Sequence, residues 1–292
     1  MTLTGTGISR TIPELRRYKA SHDQPPLVMV TAYDAPGARF AVEAGVDILL
    51  VGDSVGTTLL GYDSTVPVTL DDILHHTKAV RRGALRAHVV ADLPFMTYQI
   101  SDEQAVANAG RLLKEGGADA VKLEGGTALA SRVAAIAWAG IPVVGHIGLT
   151  PQSAGLLGGF KVQGQEFASA RAVIDDAIAV EHAGAYMLVI EVVPSALTKL
   201  IAERVTIPVI GIGAGADCDG QVLVMHDLLG IEDRHAARFV KRYATLATDI
   251  REGFAAFASD VRGGAYPQPE HTYKMKSSVL AELRDSLERD PS

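Results

Sequence analysis

Asp53, Asp92, Lys122, Glu124, His146 and Glu191 each lie within or directly after a short apolar run. Burying such groups unpaired is costly, so a purely structural protein has little reason to gather them. Asp53 and Asp92 are hard oxygen donors with no Cys or close His companion. That set suits Mg2+, which keeps several waters and accepts one or two protein carboxylates beside substrate oxygens; a zinc site of His and Cys suits it less. Either aspartate alone could cap a helix, but two at equivalent places, with Glu124 between them in kind, favour the metal. Lys122 and Glu124 are two apart and share one strand face. An ion pair, a carboxylate anchor on Lys122 and a Schiff-base lysine all satisfy that spacing. His146 fits an acid/base group or a well-bonded core imidazole. Glu191 ends the run Tyr186-Met187-Leu188-Val189-Ile190; a partly desolvated carboxylate there suits proton acceptance, and a loop cap or an ion pair is the structural alternative.

Other features carry less. Gly211-Ile212-Gly213-Ala214-Gly215 is a glycine-rich turn without the spacing of a dinucleotide fingerprint. Phosphate binding, close approach to another ligand and a tight turn all remain open for it. His75 and His76 read as surface residues of a helix, and Cys218 as incidental.

The elements that must position these groups are regular. Apolar runs at 27–31, 46–52, 87–91, 118–123, 141–145, 185–190, 208–212 and 222–225 read as strands. Between them, 35–44, 70–82, 102–115, 128–139, 167–182 and 195–203 read as helices. Gly45, Gly117, Gly140 and Gly184 stand where a helix stops before a strand begins. Alternating strand and helix predicts an α/β fold with a parallel sheet, and eight strands in this length predict a (β/α)8 TIM barrel. An open doubly wound sheet is the alternative. The candidate chemistry then falls at the carboxyl ends of five strands, the end of a barrel that carries activity. Residues 235–258 and 275–289 read as additional C-terminal helices. We expect a tail over 1–24 and a single barrel domain over 25–292, the extension packing on the barrel or a neighbouring subunit.

Composition narrows the function classes. Lys and Arg number 27 against 34 Asp and Glu, a net charge of −7 that argues against a nucleic-acid partner. Mean hydropathy is only +0.17, and no run of about 20 apolar residues suggests a membrane span. No secretory signal stands at the start, and a single cysteine fits a reducing compartment. The expectation is a soluble cytoplasmic protein.

The motifs Tyr33-Asp34, Val51-Gly52-Asp53-Ser54, Ala91-Asp92-Leu93-Pro94 and Val121-Lys122-Leu123-Glu124 occur in that order. They continue with Gly145-His146-Ile147-Gly148-Leu149-Thr150-Pro151-Gln152, the 211–215 turn and Asp219-Gly220-Gln221. Over roughly residues 10–275 this ordered set resembles the ketopantoate hydroxymethyltransferase family. The resemblance implies a (β/α)8 barrel that uses Mg2+ and 5,10-methylenetetrahydrofolate to convert 3-methyl-2-oxobutanoate to 2-dehydropantoate, on the route to pantothenate and coenzyme A. It implies Asp53, Asp92 and Glu124 as metal ligands, and Asp53, Ser54, Asp92 and Lys122 as ketoacid-binding residues. It also implies Glu191 as proton acceptor, His146 near the reacting centre, and a homodecamer. Competing classes are a folate-independent 2-oxo acid lyase or mutase, a Schiff-base aldolase through Lys122, and a non-catalytic ketoacid-binding barrel.

Overall fold

The computed structural model describes residues 10–20, 24–156, 158–232 and 237–289. The chain divides into two compact units, residues 1–244 and 245–292. The first begins with the short helix α1 (Ile12–Arg16), closed by a capping box between Thr11 and Glu14. Strand β1 (Leu27–Thr31) and helix α2 (Ala35–Glu43) follow, then β2 (Ile48–Val51), α3 (Val55–Thr58) and α4 (Leu70–Gly83). The alternation continues with β3 (His88–Asp92), α5 (Asp102–Lys114), β4 (Ala120–Glu124), α6 (Ala130–Trp138) and β5 (Val143–Gly148). It ends with α7 (Phe167–His182), β6 (Met187–Glu191), α8 (Ser195–Ala202), β7 (Val209–Ile212), β8 (Gly220–Leu223) and α9 (Met225–Leu228).

All eight strands are parallel, and β8 pairs with β1, so the sheet closes. The expected (β/α)8 barrel is what forms, and the open doubly wound sheet is not. Side chains alternate along each strand, which divides the apolar residues into two clusters. Leu49, Val51, Val89, Ala91, Val121, Leu123, Leu188 and Ile190 belong to one cluster with helical residues such as Ile73, Leu112, Ile136 and Val180. Met29, Ile48, Leu50, Val90, Ala120, Val144, Val189 and Ile210 form the barrel interior. Leu15 and Tyr18 join that interior cluster, so the segment ahead of β1 packs into the barrel. Inside it, the Nε2 of buried His88 lies 2.7 Å from the Tyr186 hydroxyl.

Several ends differ from the sequence reading. Strands β3, β4 and β6 extend to include Asp92, Glu124 and Glu191, whose backbones still join the ladder. The eighth strand is Gly220–Leu223 and not 222–225, because pairing of Leu27 with Gly220 sets its register; Met225 already begins α9. The helix expected over 235–258 is replaced by α10 (Leu246–Gly263). Residues 235 and 236 lie outside the described residues. Residues 237–245 are not helical, and the Tyr243 amide donates to the Leu228 carbonyl instead of to a helical partner. The second unit contains α10 and α11 (Ser277–Arg289). Of the expected tail over 1–24, residues 1–9 and 21–23 lie outside the described residues.

Candidate active site

The inward strand face that is apolar lower in the barrel becomes ionisable at its carboxyl end. Val90 is followed two residues on by Asp92, Ala120 by Lys122 and Glu124, Val144 by His146, and Val189 by Glu191. Parallel pairing sets Asp92 beside Lys122 and Glu124 beside His146. The Lys122 ammonium sits 3.0 Å from Asp92 Oδ1 and 3.3 Å from His146 Nδ1. His146 bridges two carboxylates, with Nδ1 3.4 Å from Glu124 Oε1 and Nε2 3.2 Å from Glu191 Oε2. Asp53 follows β2, and its amide donates to Asp92 Oδ2 at 2.9 Å. The Ser54 hydroxyl lies 2.8 Å from that of Tyr33. Every sequence-predicted site residue lines one cavity of about 570 Å3. Asp53, Asp92, Lys122, Glu124 and His146 are each no more than 5% exposed.

Such burial makes the charges interdependent. Burial pushes the Asp53 carboxyl up to about 8, aided by the neighbouring Asp92 and Glu124 charges. Burial raises Asp92 as well, against the opposing pull of Lys122. Burial works to lower Lys122, but the charges of Asp92, Glu124 and Asp53 outweigh it and hold the ammonium above the ordinary lysine range. A Schiff-base lysine must be neutral to attack, so these surroundings favour the ion-pair anchor. For His146, burial and Lys122 oppose protonation, yet the bonds to Glu124 and Glu191 raise it to about 9. The ring thus sits within ion-pair range of both carboxylates, although its Nε2 makes no hydrogen bond of good geometry.

The carboxylates suit a divalent cation in part. Among the described residues no three His, Cys, Asp or Glu side chains form a ready metal cage. Buried Asp92 Oδ1 nonetheless receives no hydrogen bond of good geometry, and Asp53 accepts through Oδ2 alone. Two aspartates with the Glu124 carboxylate beside them, and an Asp92 oxygen held only by the Lys122 ammonium, fit Mg2+, which needs few protein ligands.

Two buried residues outside the expected set, behind the cavity lining, support the site. Gln152, in a short 3-10 turn after β5, is bonded to Asp53 and Glu124. Tyr98, buried in the loop between β3 and α5, meets Gln152 at 2.7 Å. A polar residue just beyond a strand end was a usable signal for Gln152; Tyr98 stands in a loop with no local pattern. The glycines of the 211–215 turn have packing reasons. A Cβ on Gly213 would meet the Phe239 ring at 2.7 Å, and its φ is +62°. His75 is exposed as expected, whereas half-buried His76 places Nδ1 2.7 Å from the Tyr33 carbonyl. Burial pushes the Cys218 thiol up to about 11, which disfavours the reactive thiolate.

Comparison with known proteins gives the family. Residues 9–269 match the family described as ketopantoate hydroxymethyltransferase. The chain belongs to that family. It is thereby an enzyme, a transferase, and its relatives span it nearly end to end. A protein of Carboxydothermus hydrogenoformans named 3-methyl-2-oxobutanoate hydroxymethyltransferase is 52% identical over 94% of this chain and 98% of its own length. Proteins of the same name from Geobacillus kaustophilus and Bacillus subtilis are 55% and 50% identical, covering 88% and 90% of this chain and 92% and 95% of their own. Among solved structures, phosphoenolpyruvate phosphomutase from Streptomyces platensis subsp. rosaceus aligns with a TM-score of 0.58 at 16% identity, over 97% of this chain and 100% of that one. A phosphonopyruvate hydrolase complex with oxalate and Mg2+ aligns at 0.59 and 14% identity, over 96% and 97% of the two chains. These two likenesses show the shared barrel. No described helix is long and apolar enough to cross a membrane.

Proposed function

We propose that the chain transfers a hydroxymethyl unit from 5,10-methylenetetrahydrofolate to 3-methyl-2-oxobutanoate, giving 2-dehydropantoate for pantothenate synthesis. The observation that carries this reading is the pairing of two half-sites in one cavity. On one side a lysine and three carboxylates surround the place for an oxo acid; on the other, Glu191 lies 3.2 Å from the His146 ring.

Lys122 and the Ser54 hydroxyl hold the ketoacid carboxylate, with Asp53 and Asp92 completing that side. Asp53, Asp92 and Glu124 would hold Mg2+, whose charge, when bound, favours build-up of negative charge on the substrate's keto oxygen. Glu191 takes the C3 proton. His146 Nε2 lies 3.2 Å from Glu191 Oε2, and a protonated ring there would orient that carboxylate for the proton transfer. C3 then forms its bond to the donor's methylene carbon, which gives up both bonds to folate nitrogen. Water supplies the hydroxyl left on that carbon. The nitrogens regain one proton from that water and one equivalent to the proton lost from C3. The outer cavity wall includes Phe160, Leu149, Phe239 and Arg238, apolar surface and positive charge suited to a flat anionic co-substrate.

Solvent exchange of the C3 proton, followed by NMR in D2O, isolates the first step from folate. Glu191→Gln is expected to abolish it, and full retention of exchange rules out Glu191 as the base. The one-carbon transfer assay, run with and without chelator, tests donor and metal together. The family resemblance adds a cytoplasmic homodecamer to the proposal, and light scattering checks the assembly.

A further inference from the structure

Gln152 is 5% exposed, and both ends of its side-chain amide and its backbone amide are hydrogen-bonded. Its side-chain nitrogen donates to Asp53 Oδ2 at 2.9 Å and to the Leu93 carbonyl at 3.0 Å. Its side-chain oxygen accepts from the Tyr98 hydroxyl at 2.7 Å and from the Gln99 amide at 3.5 Å. Its backbone amide donates to Glu124 Oε2 at 3.0 Å. The Tyr98 hydroxyl is tied in turn to the backbone of Glu124, 3.1 Å from its carbonyl and 3.2 Å from its amide.

The amide has one sensible orientation. Rotated by half a turn, it would set its oxygen against a carboxylate and a carbonyl, and its NH2 group against the Tyr98 hydroxyl, losing both donations. Its nitrogen therefore faces Asp53, and Asp53 Oδ1 is left for a ligand. One residue thus addresses carboxylates delivered by two strands, β2 and β4, that do not pair with each other. A glutamate of the same shape would bring a charge against Asp53 and no second donor.

We propose that Gln152 is a positioning residue that fixes the Asp53 and Glu124 carboxylates in the orientation that receives the divalent cation, with Tyr98 holding its amide the right way round. The proposal rests on the metal-ligand reading of Asp53 and Glu124 given above. Loss of an outer partner of a metal-holding side chain weakens affinity by about 10- to 100-fold.

The test uses the full-length, metal-free protein and Mn2+ as probe, titrated by electron paramagnetic resonance, so that affinity is read without turnover. Gln152→Leu keeps the side-chain bulk and the backbone donor. It is expected to weaken Mn2+ binding by about tenfold or more, and to lower kcat with the KM for the folate donor little changed. Gln152→Glu should be worse than Gln152→Leu, and Tyr98→Phe should cost several-fold in Mn2+ affinity. A purely structural residue would lower Tm and leave the affinity of the folded protein untouched. Mn2+ affinity and kcat within twofold of wild type in Gln152→Leu overturn the proposal. Should that variant not fold, unchanged affinity in Tyr98→Phe does so instead. Wild-type protein that binds no Mn2+ sinks the metal-ligand reading and this role together, whereas a metal-binding wild type with indifferent variants sinks the Gln152 role alone.

Discussion

Lys122 stands where one side chain could serve both the fold and the proposed chemistry. Its ammonium lies among Asp92, Glu124 and Asp53, all buried. Breaking a buried ion pair from one side commonly costs about 3–5 kcal/mol, since the partner charge is left uncompensated. Part of that cost is relieved when the orphaned carboxylate takes up a proton. We therefore expect Lys122→Met to lose stability up to that range in urea unfolding, and to raise the KM for the ketoacid at least tenfold, as one charge-assisted contact of about 1.5–3 kcal/mol disappears. A ketoacid KM unchanged by the substitution would remove Lys122 from the substrate's side of the site. The candidate residues were legible at this scale because ionisable groups stand out at the ends of apolar runs. Gln152 carried a weaker signal of the same kind, a neutral amide just past a strand end, and Tyr98 escaped because a phenol in a loop carries no such contrast.

At the scale of elements, the strand pattern was legible because β2 to β7 are buried on both faces and read as continuous apolar runs, whereas β1 and β8 each expose one residue, Val28 and Gln221. In the structure, caps such as Ser101 on α5 and the Thr69–Asp72 box on α4 close the helices. In the sequence the helices were legible as the stretches between those runs, stopped by glycines such as Gly117 and Gly140. Their mutual packing was not. A Cβ on Gly83, at the end of α4, would lie 2.1 Å from the Ala35 carbonyl oxygen at the start of α2. Backbone cannot yield as a side chain does, so Gly83→Ala is expected to destabilise the protein by about 1–3 kcal/mol. Thermal denaturation with a Tm within a degree of wild type would show that α2 and α4 separate freely. The misplaced start of α10 has a similar origin. Residues 237–245 are compatible with a helix, but Phe239 packs against Gly213 and Tyr243 bonds to Leu228.

At the scale of the whole molecule, the buried site links stability to pH. Burial raises Asp53 from 3.8 to about 8, so its folded form binds a proton more tightly than the unfolded chain. That contribution is complete below about 3.8 and is lost as pH rises through 8. The bonds to Glu124 and Glu191 raise His146 from 6.5 to about 9 against burial, and its contribution likewise fades above 6.5. Metal-free protein should therefore lose Tm between pH 6.5 and 8, and stabilisation by added Mg2+ should grow over the same interval as carboxylates ionise. Thermal melts at the two pH values check both; a flat or rising metal-free Tm contradicts the first. In the second unit, Ile250, Phe254, Phe257 and Val261 on α10 are between 45% and 71% exposed at helical spacing. If the family's assembly uses this stripe, Phe254→Asp with Phe257→Asp should lower the mass seen by light scattering, and an unchanged mass would place the subunit contacts elsewhere.

The sequence alone determined the parallel α/β order, the number of strands and the strand ends at which charge collects, because these follow from periodicity and from the cost of burying polar groups. Only the tertiary structure decided that the sheet closes through β1 and β8, that Asp92 faces Lys122 and Glu124 faces His146, and that Gln152 joins Asp53 to Glu124. Those facts depend on strand register and on side chains brought together across the barrel, and neither is encoded in the spacing along any single segment.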